Sequence, residues 1–213
     1  GGMGSKFPGM RFSYRRLLVA IGIVLALVVG LALTLTYQIQ ALKPLRSPWT
    51  GGYVDVTETP AFEFESVSGS GQQNVVLSFI VASDGKCEPA WGNYYTLSEA
   101  ESGMDLDRRI SQIGRSGRTA VLSFGGRDND SLQAACGDAN DLAAAMGSAL
   151  DHYSINVVDL DIEGDDLANV ASRQKLASAM SSLQSQRRSE GSDLVIWLTL
   201  PADRNGLTND GVQ

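Results

Sequence analysis

The 213-residue sequence predicts an α/β fold built on a mostly parallel sheet, preceded by one apolar helix. Three observations carry that expectation. Leu17–Tyr37 is a 21-residue run without a charge, short β-rich runs alternate with amphipathic helical patterns after it, and one of those runs holds three acids at alternate positions.

The apolar run comes first. At about 1.5 Å per residue, a helix of that length crosses a hydrocarbon core of roughly 30 Å. Residues 17–37 are therefore expected to form a transmembrane helix. Secretion after cleavage is the alternative, but a signal-peptide core is usually about 7–15 residues and no A-x-A-like site follows before Leu42-Lys43-Pro44. Lys6, Arg11, Arg15 and Arg16 precede the run and only Lys43 and Arg46 follow closely, which favours a cytoplasmic segment 1–16 and an extracellular remainder at the cell membrane. Residues 38–52, with Pro44, Pro48, Gly51 and Gly52, read as a linker, and 53–213 as the folded domain.

Within that domain Tyr53–Thr57, Val75–Ala82, Thr119–Phe124, Asn156–Glu163 and Leu194–Leu200 are each long enough for one strand. Leu106, Ile110 and Ile113 repeat at helical spacing before the third run. Leu142, Ala145, Met146, Ala149, Leu150 and Tyr153 do so before the fourth, with Asn140 as the expected cap. Leu176, Ala179, Met180 and Leu183 do so before the fifth. Strands alternating with helices indicate parallel pairing through right-handed crossovers, hence a doubly wound sheet or a (β/α) barrel.

Charge narrows the function. The first 46 residues hold six of the 17 Lys and Arg and no acid, so the remainder sets eleven bases against all 24 acids. A domain that acidic is not expected to bind nucleic acid. Cys87 and Cys136 fall in the loops after the second and third runs, at one end of a parallel sheet, where a disulfide is expected outside the cell.

Asp159, Asp161 and Glu163 share one face of their strand because side chains alternate, while Val158, Leu160 and Ile162 take the other. Carboxylates about 6–7 Å apart on a buried strand repel and resist desolvation, so at least one is expected to hold a proton near neutral pH. That is what a glycosidase asks of its general acid. The same acids fit a solvated edge strand or, less well, a hard-cation site. Ser123-Phe124-Gly125-Gly126 ends the preceding strand, and its glycines permit a tight turn or close approach to a ligand.

Taken together, S-x-G-G on one strand and [DN]-x-x-D-x-D-x-E on the next resemble the family eighteen glycoside hydrolases, the chitinase-like enzymes. The family pattern is D-G-x-D-x-D-x-E, and here Asn156 and Val157 stand in its first two places. The resemblance runs from about Trp49 onward and includes Ser78-Phe79 and Thr199-Leu200-Pro201. It implies a partial (β/α)8 TIM barrel of about five parallel strands, ending before a sixth strand with a Met-x-Tyr motif and an eighth with a Trp. Such a chain would be a poor enzyme alone.

The resemblance also implies roles. Glu163 would protonate the glycosidic oxygen, Asp161 would hold the substrate's 2-acetamido group, and Asp159 would share a proton or hydrogen bond with Asp161. The acetamido oxygen would attack the anomeric carbon, in place of an enzyme nucleophile. Ser123 would support the aspartates and Gly125 and Gly126 the substrate, with Trp91, Tyr94 and Tyr95 available to stack on sugar rings. The implied substrate is chitin or a chitin-like β-1,4-linked N-acetylglucosamine glycan. Alternatives within the family are a non-catalytic carbohydrate binder and an endo-β-N-acetylglucosaminidase acting on N-glycans. No metal or cofactor is expected, and His152 is read as a helix C-terminal residue without a catalytic role.

Overall fold

A computed structural model describes residues 13–41, 50–67 and 74–208. The chain divides into two units, Gly1–Pro48 and Trp49–Gln213. In the first, helix α1 covers Tyr14–Ala41, and its Tyr14–Thr34 part is long and apolar enough to cross a membrane, a test that a signal sequence also passes. Most of the linker expected over 38–52 lies outside the described residues.

The second unit begins with strand β1 (Gly51–Asp55) and continues through β2 (Asn74–Ser83), β3 (Lys86–Trp91) and β4 (Tyr95–Thr96). Helices α2 (Leu97–Met104) and α3 (Leu106–Arg115) lead to β5 (Thr119–Gly125). Then come α4 (Leu132–Ala135), α5 (Ala139–His152), β6 (Val157–Asp161), α6 (Gly164–Ala168), α7 (Val170–Ser189) and β7 (Val195–Thr199). A hairpin of β8 (Ala202–Asp203) and β9 (Gly206–Leu207) follows. The five expected strands are present and mutually parallel in the order β1-β2-β5-β6-β7. The unexpected part is β3 and β4, which fold back antiparallel on the far half of β2 and make the sheet seven-stranded.

Helices start where side chains can accept the first free N–H groups. Thr96 and Glu99 form a reciprocal capping box on α2. Asp138, not the expected Asn140, caps α5, because its Oδ1 accepts from the amides of Asn140 and Asp141 at 2.8 and 2.9 Å. The cap oxygen must precede the amides it satisfies, so Asn140 is already inside the helix.

One face of the sheet is covered by these helices. Leu122 and Phe124 from β5 and Val158 and Leu160 from β6 pack with Ile113, Leu142, Met146, Ala149 and Leu183 in a single buried core. Cys87 and Cys136 are joined, with Cα atoms 4.6 Å apart, although Cys87 lies in strand β3 and not in the loop expected for it. Closing about 50 residues in this way stabilises the unit by about 4 kcal/mol on the chain-entropy model. Lys175 on α7 donates to the carbonyls of Gln133 and Cys136, so the bridge, α4 and α7 are tied together.

Candidate active site

Strand β6 lies between β5 and β7, so its side chains have only the two sheet faces available. Val158 and Leu160 enter the helical core and Asp159 and Asp161 turn to the opposite face. Parallel register aligns Ser123 and Trp197 with Asp159, and Gly125 and Thr199 with Asp161. Glu163 stands just past the strand, half-buried, with φ −131° and ψ 166°, so the extended alternation carries on to it.

Asp159 is 1 % exposed and fully engaged. Its Oδ2 accepts from Ser123 Oγ at 2.7 Å and from Tyr53 OH at 2.9 Å, and its Oδ1 from Thr199 Oγ1 at 2.8 Å. Tyr53 OH and Thr199 Oγ1 are themselves 2.7 Å apart. Burial of the Tyr53 hydroxyl, opposed by the Thr199 bond and reinforced by the Asp159 and Asp161 charges, pushes its pKa up to about 12. It therefore remains a donor at any working pH. Ser123 has its expected supporting place, whereas Tyr53 and Thr199 were not anticipated in theirs. Both are single hydroxyls on short strands, and only the pairing of β1 with β2 and of β7 with β6 brings them to one carboxylate.

Asp161 differs. It is 7 % exposed, and its buried Oδ1 has no hydrogen-bond partner. Desolvation first, then the neighbouring Glu163 and Asp159 charges, push its pKa up to about 6. Asp161 therefore keeps its proton well above the ordinary carboxylate range but has lost most of it by neutral pH. Asp159 takes hydroxyl protons from Ser123, Tyr53 and Thr199, which stand on three other strands.

Gly125 and Gly126 have φ of +106° and +87°. A Cβ on Gly125 would lie 2.2 Å from the Asp161 carbonyl oxygen, and Gly126 donates its amide to that same oxygen at 3.1 Å. A Cβ on Gly126 would press on the Phe79 ring at 3.0 Å. The glycines therefore hold the end of β6 and also floor a cavity of about 560 Å³ that reaches Asp55, Phe79, Tyr94 and Tyr95. Glu163 lines an adjoining cleft of about 290 Å³, which shares Gly126, Arg127 and Asn129 with the larger one.

Trp91 is a correction. It is fully buried, and its Nε1 donates to Tyr153 OH at 2.8 Å, so it cannot stack on a sugar. Its place at the end of β3, paired with Ile80, turns it into the core. Tyr94, 74 % exposed, and Tyr95 remain at the cavity.

No protein-family model matches the sequence. A curated Escherichia coli (strain K12) protein named probable bifunctional chitinase/lysozyme is 32 % identical over 162 residues, which is 75 % of this chain and 18 % of that protein. Endochitinase 11 of Metarhizium anisopliae is 32 % identical over 165 residues, 75 % of this chain and 30 % of its own length. The chain thus spans less than a third of either curated relative. Among solved structures, the catalytic domain of the hyperthermophilic chitinase from Pyrococcus furiosus superposes with a TM-score of 0.61 at 23 % identity, covering 75 % of this chain and 49 % of that one.

The fold is shared with chitinase catalytic domains. In a sheet of that kind the face opposite the helices is the barrel interior, and catalytic groups stand at the C-terminal strand ends. Asp161, Glu163 and the paired glycines occupy those ends. Other solved relatives in fold include a fungal endo-β-N-acetylglucosaminidase of glycosyl hydrolase family 18, with a TM-score of 0.53 at 14 % identity.

Proposed function

We propose that this protein is a chitinase-like glycoside hydrolase that cleaves β-1,4-linked N-acetylglucosamine by a substrate-assisted, retaining route. The observation that carries the proposal is the unequal treatment of the three acids on one strand face. Asp159 is satisfied by three hydroxyls, Asp161 keeps a proton up to about pH 6 and has an unpartnered oxygen, and Glu163 borders the open cleft.

Each difference has a use. Glu163, nearest to solvent, donates the proton to the leaving glycosidic oxygen. Asp161 offers its unpartnered Oδ1 to the N–H of the sugar's 2-acetamido group, orienting the acetamido oxygen toward the anomeric carbon and stabilising the positive charge that develops on the resulting ring. Water then opens that intermediate while Glu163 takes a proton back, so that configuration is retained. Asp159, fixed by Ser123, Tyr53 and Thr199, is a positioning residue that sets the charge felt by Asp161. Tyr94 and Tyr95 offer ring faces at the larger cavity. Helix α1 is proposed as the single membrane anchor, with its N-terminal side in the cytoplasm and the second unit outside.

The test uses the full gene product and soluble chitin oligosaccharides. Glu163→Gln keeps the shape but not the proton donor, so turnover should fall by about 10²–10⁴-fold while oligosaccharide affinity, measured by calorimetry, is retained. Near-normal turnover in that variant would rule the scheme out. Binding without turnover in the unmodified protein would indicate a carbohydrate binder instead.

A further inference from the structure

At the other end of the sheet, outside the acid face, three side chains from three helices converge. Glu101 comes from α2, Asp107 from the first turn of α3 and His152 from the last residue of α5. One ligand atom from each lies within 4.8 Å of the other two. His152 Nε2 is 2.9 Å from Asp107 Oδ2, while the other oxygen, Asp107 Oδ1, is buried and has no hydrogen-bond partner. A buried acceptor without a donor is costly unless something else supplies positive charge.

We propose that Glu101, Asp107 and His152 form a divalent-cation site suited to zinc, which clamps α2, α3 and α5 together. An imidazole nitrogen and carboxylate oxygens are each atoms that zinc binds, at roughly 2.0–2.2 Å, and water can complete the tetrahedron. Such bonds put ligand atoms roughly 3.3–3.5 Å apart. The His152–Asp107 pair therefore opens slightly, and Glu101, whose side chain is exposed, swings in.

The surroundings suit this role. A cavity of about 540 Å³ reaches Asp107 and His152 from solvent. Arg115 and Arg118 line that cavity too, but Arg115 donates to Ser111 Oγ and Arg118 to the carbonyls of Phe64 and Glu65, which turns both guanidinium groups to other partners. Thr119 and Asn156 on the same wall mark the N-terminal strand ends, so the ion would brace the fold and take no part in bond cleavage. Thus His152, the only histidine in the chain, gains a use that its helix position alone does not suggest.

The experiment is titration of the chelator-stripped full chain, in detergent, with zinc chloride, followed by calorimetry and by thermal unfolding. Saturable uptake of one ion per chain is expected, with a rise in unfolding temperature. His152→Ala and Glu101→Gln alter side chains outside the buried core. Each should weaken zinc affinity by more than the roughly 10–100-fold that loss of even an outer-shell partner costs, with an unchanged far-ultraviolet circular dichroism spectrum. If the unmodified chain shows no saturable uptake, or if both variants bind zinc as it does, the cluster is an ion pair only and the proposal is overturned.

Discussion

Asp161 couples the proposed chemistry to stability. Its carboxyl holds a proton up to about pH 6 in the folded chain, against an ordinary value of 3.8. Between those limits the folded state binds more protons than the unfolded state, so stability falls as pH rises through the window and levels off above it. Two pKa units correspond to about 3 kcal/mol, an upper figure for a side chain with this little exposure. Asp161→Asn has no charge to bury. Urea unfolding should therefore show it more stable than the natural chain at pH 7, by up to about 3 kcal/mol, with the slope between pH 4 and 6 largely gone. An unchanged slope would mean that Asp161 does not hold the proton. At this scale the sequence was partly legible. Period two put three acids on one face and required one of them to keep a proton, but which one depends on Tyr53, Ser123 and Thr199, whose hydroxyls reach Asp159 across strand pairings that no local pattern reveals.

At the scale of elements, the junction of β5 and β6 controls the site. Gly125 lies against the Asp161 carbonyl and has φ of +106°, so both space and backbone conformation exclude a side chain. Gly125→Ala should cost at least about 3 kcal/mol and displace the end of β6, seen as a lower urea midpoint together with lost oligosaccharide affinity. A variant of normal stability would show that the junction yields easily. Strands β2, β5 and β6 were readable as apolar runs with buried positions, whereas β1 and β7 have no fully buried residue and were legible only as short runs rich in β-branched and aromatic residues. Strands β3 and β4 were not, because Lys86, Glu88 and Pro89 break any period and the hairpin is specified by its pairing with β2. Trp91 was misassigned for the same reason. Without β3, an aromatic residue after β2 looks like a loop residue at the site, whereas the hairpin's register with Ile80 turns it inward to Tyr153.

On the whole-molecule scale the two sides of the sheet are unequally finished. At β6, Leu160 is 4 % exposed beneath the helices, but its register partner Leu198 on β7 is 61 % exposed. Strand β7 pairs with β6 along one edge, and the short β8–β9 hairpin follows it where a helix would have covered Leu198. An apolar strand at a sheet edge is a template for pairing with another chain. Helix α1 adds a second apolar surface of its own, so the consequence is best measured on residues 49–213, which form one of the two units and contain the whole buried core described above. That unit should self-associate at concentrations of tens of micromolar. Leu198→Lys, which puts a charge on the edge, should shift sedimentation toward monomer without lowering the unfolding midpoint by more than about 0.5 kcal/mol, as for an exposed position away from the core. Equal association of the two proteins would place the contact elsewhere, and a monomeric natural unit would show that the β7 edge is protected.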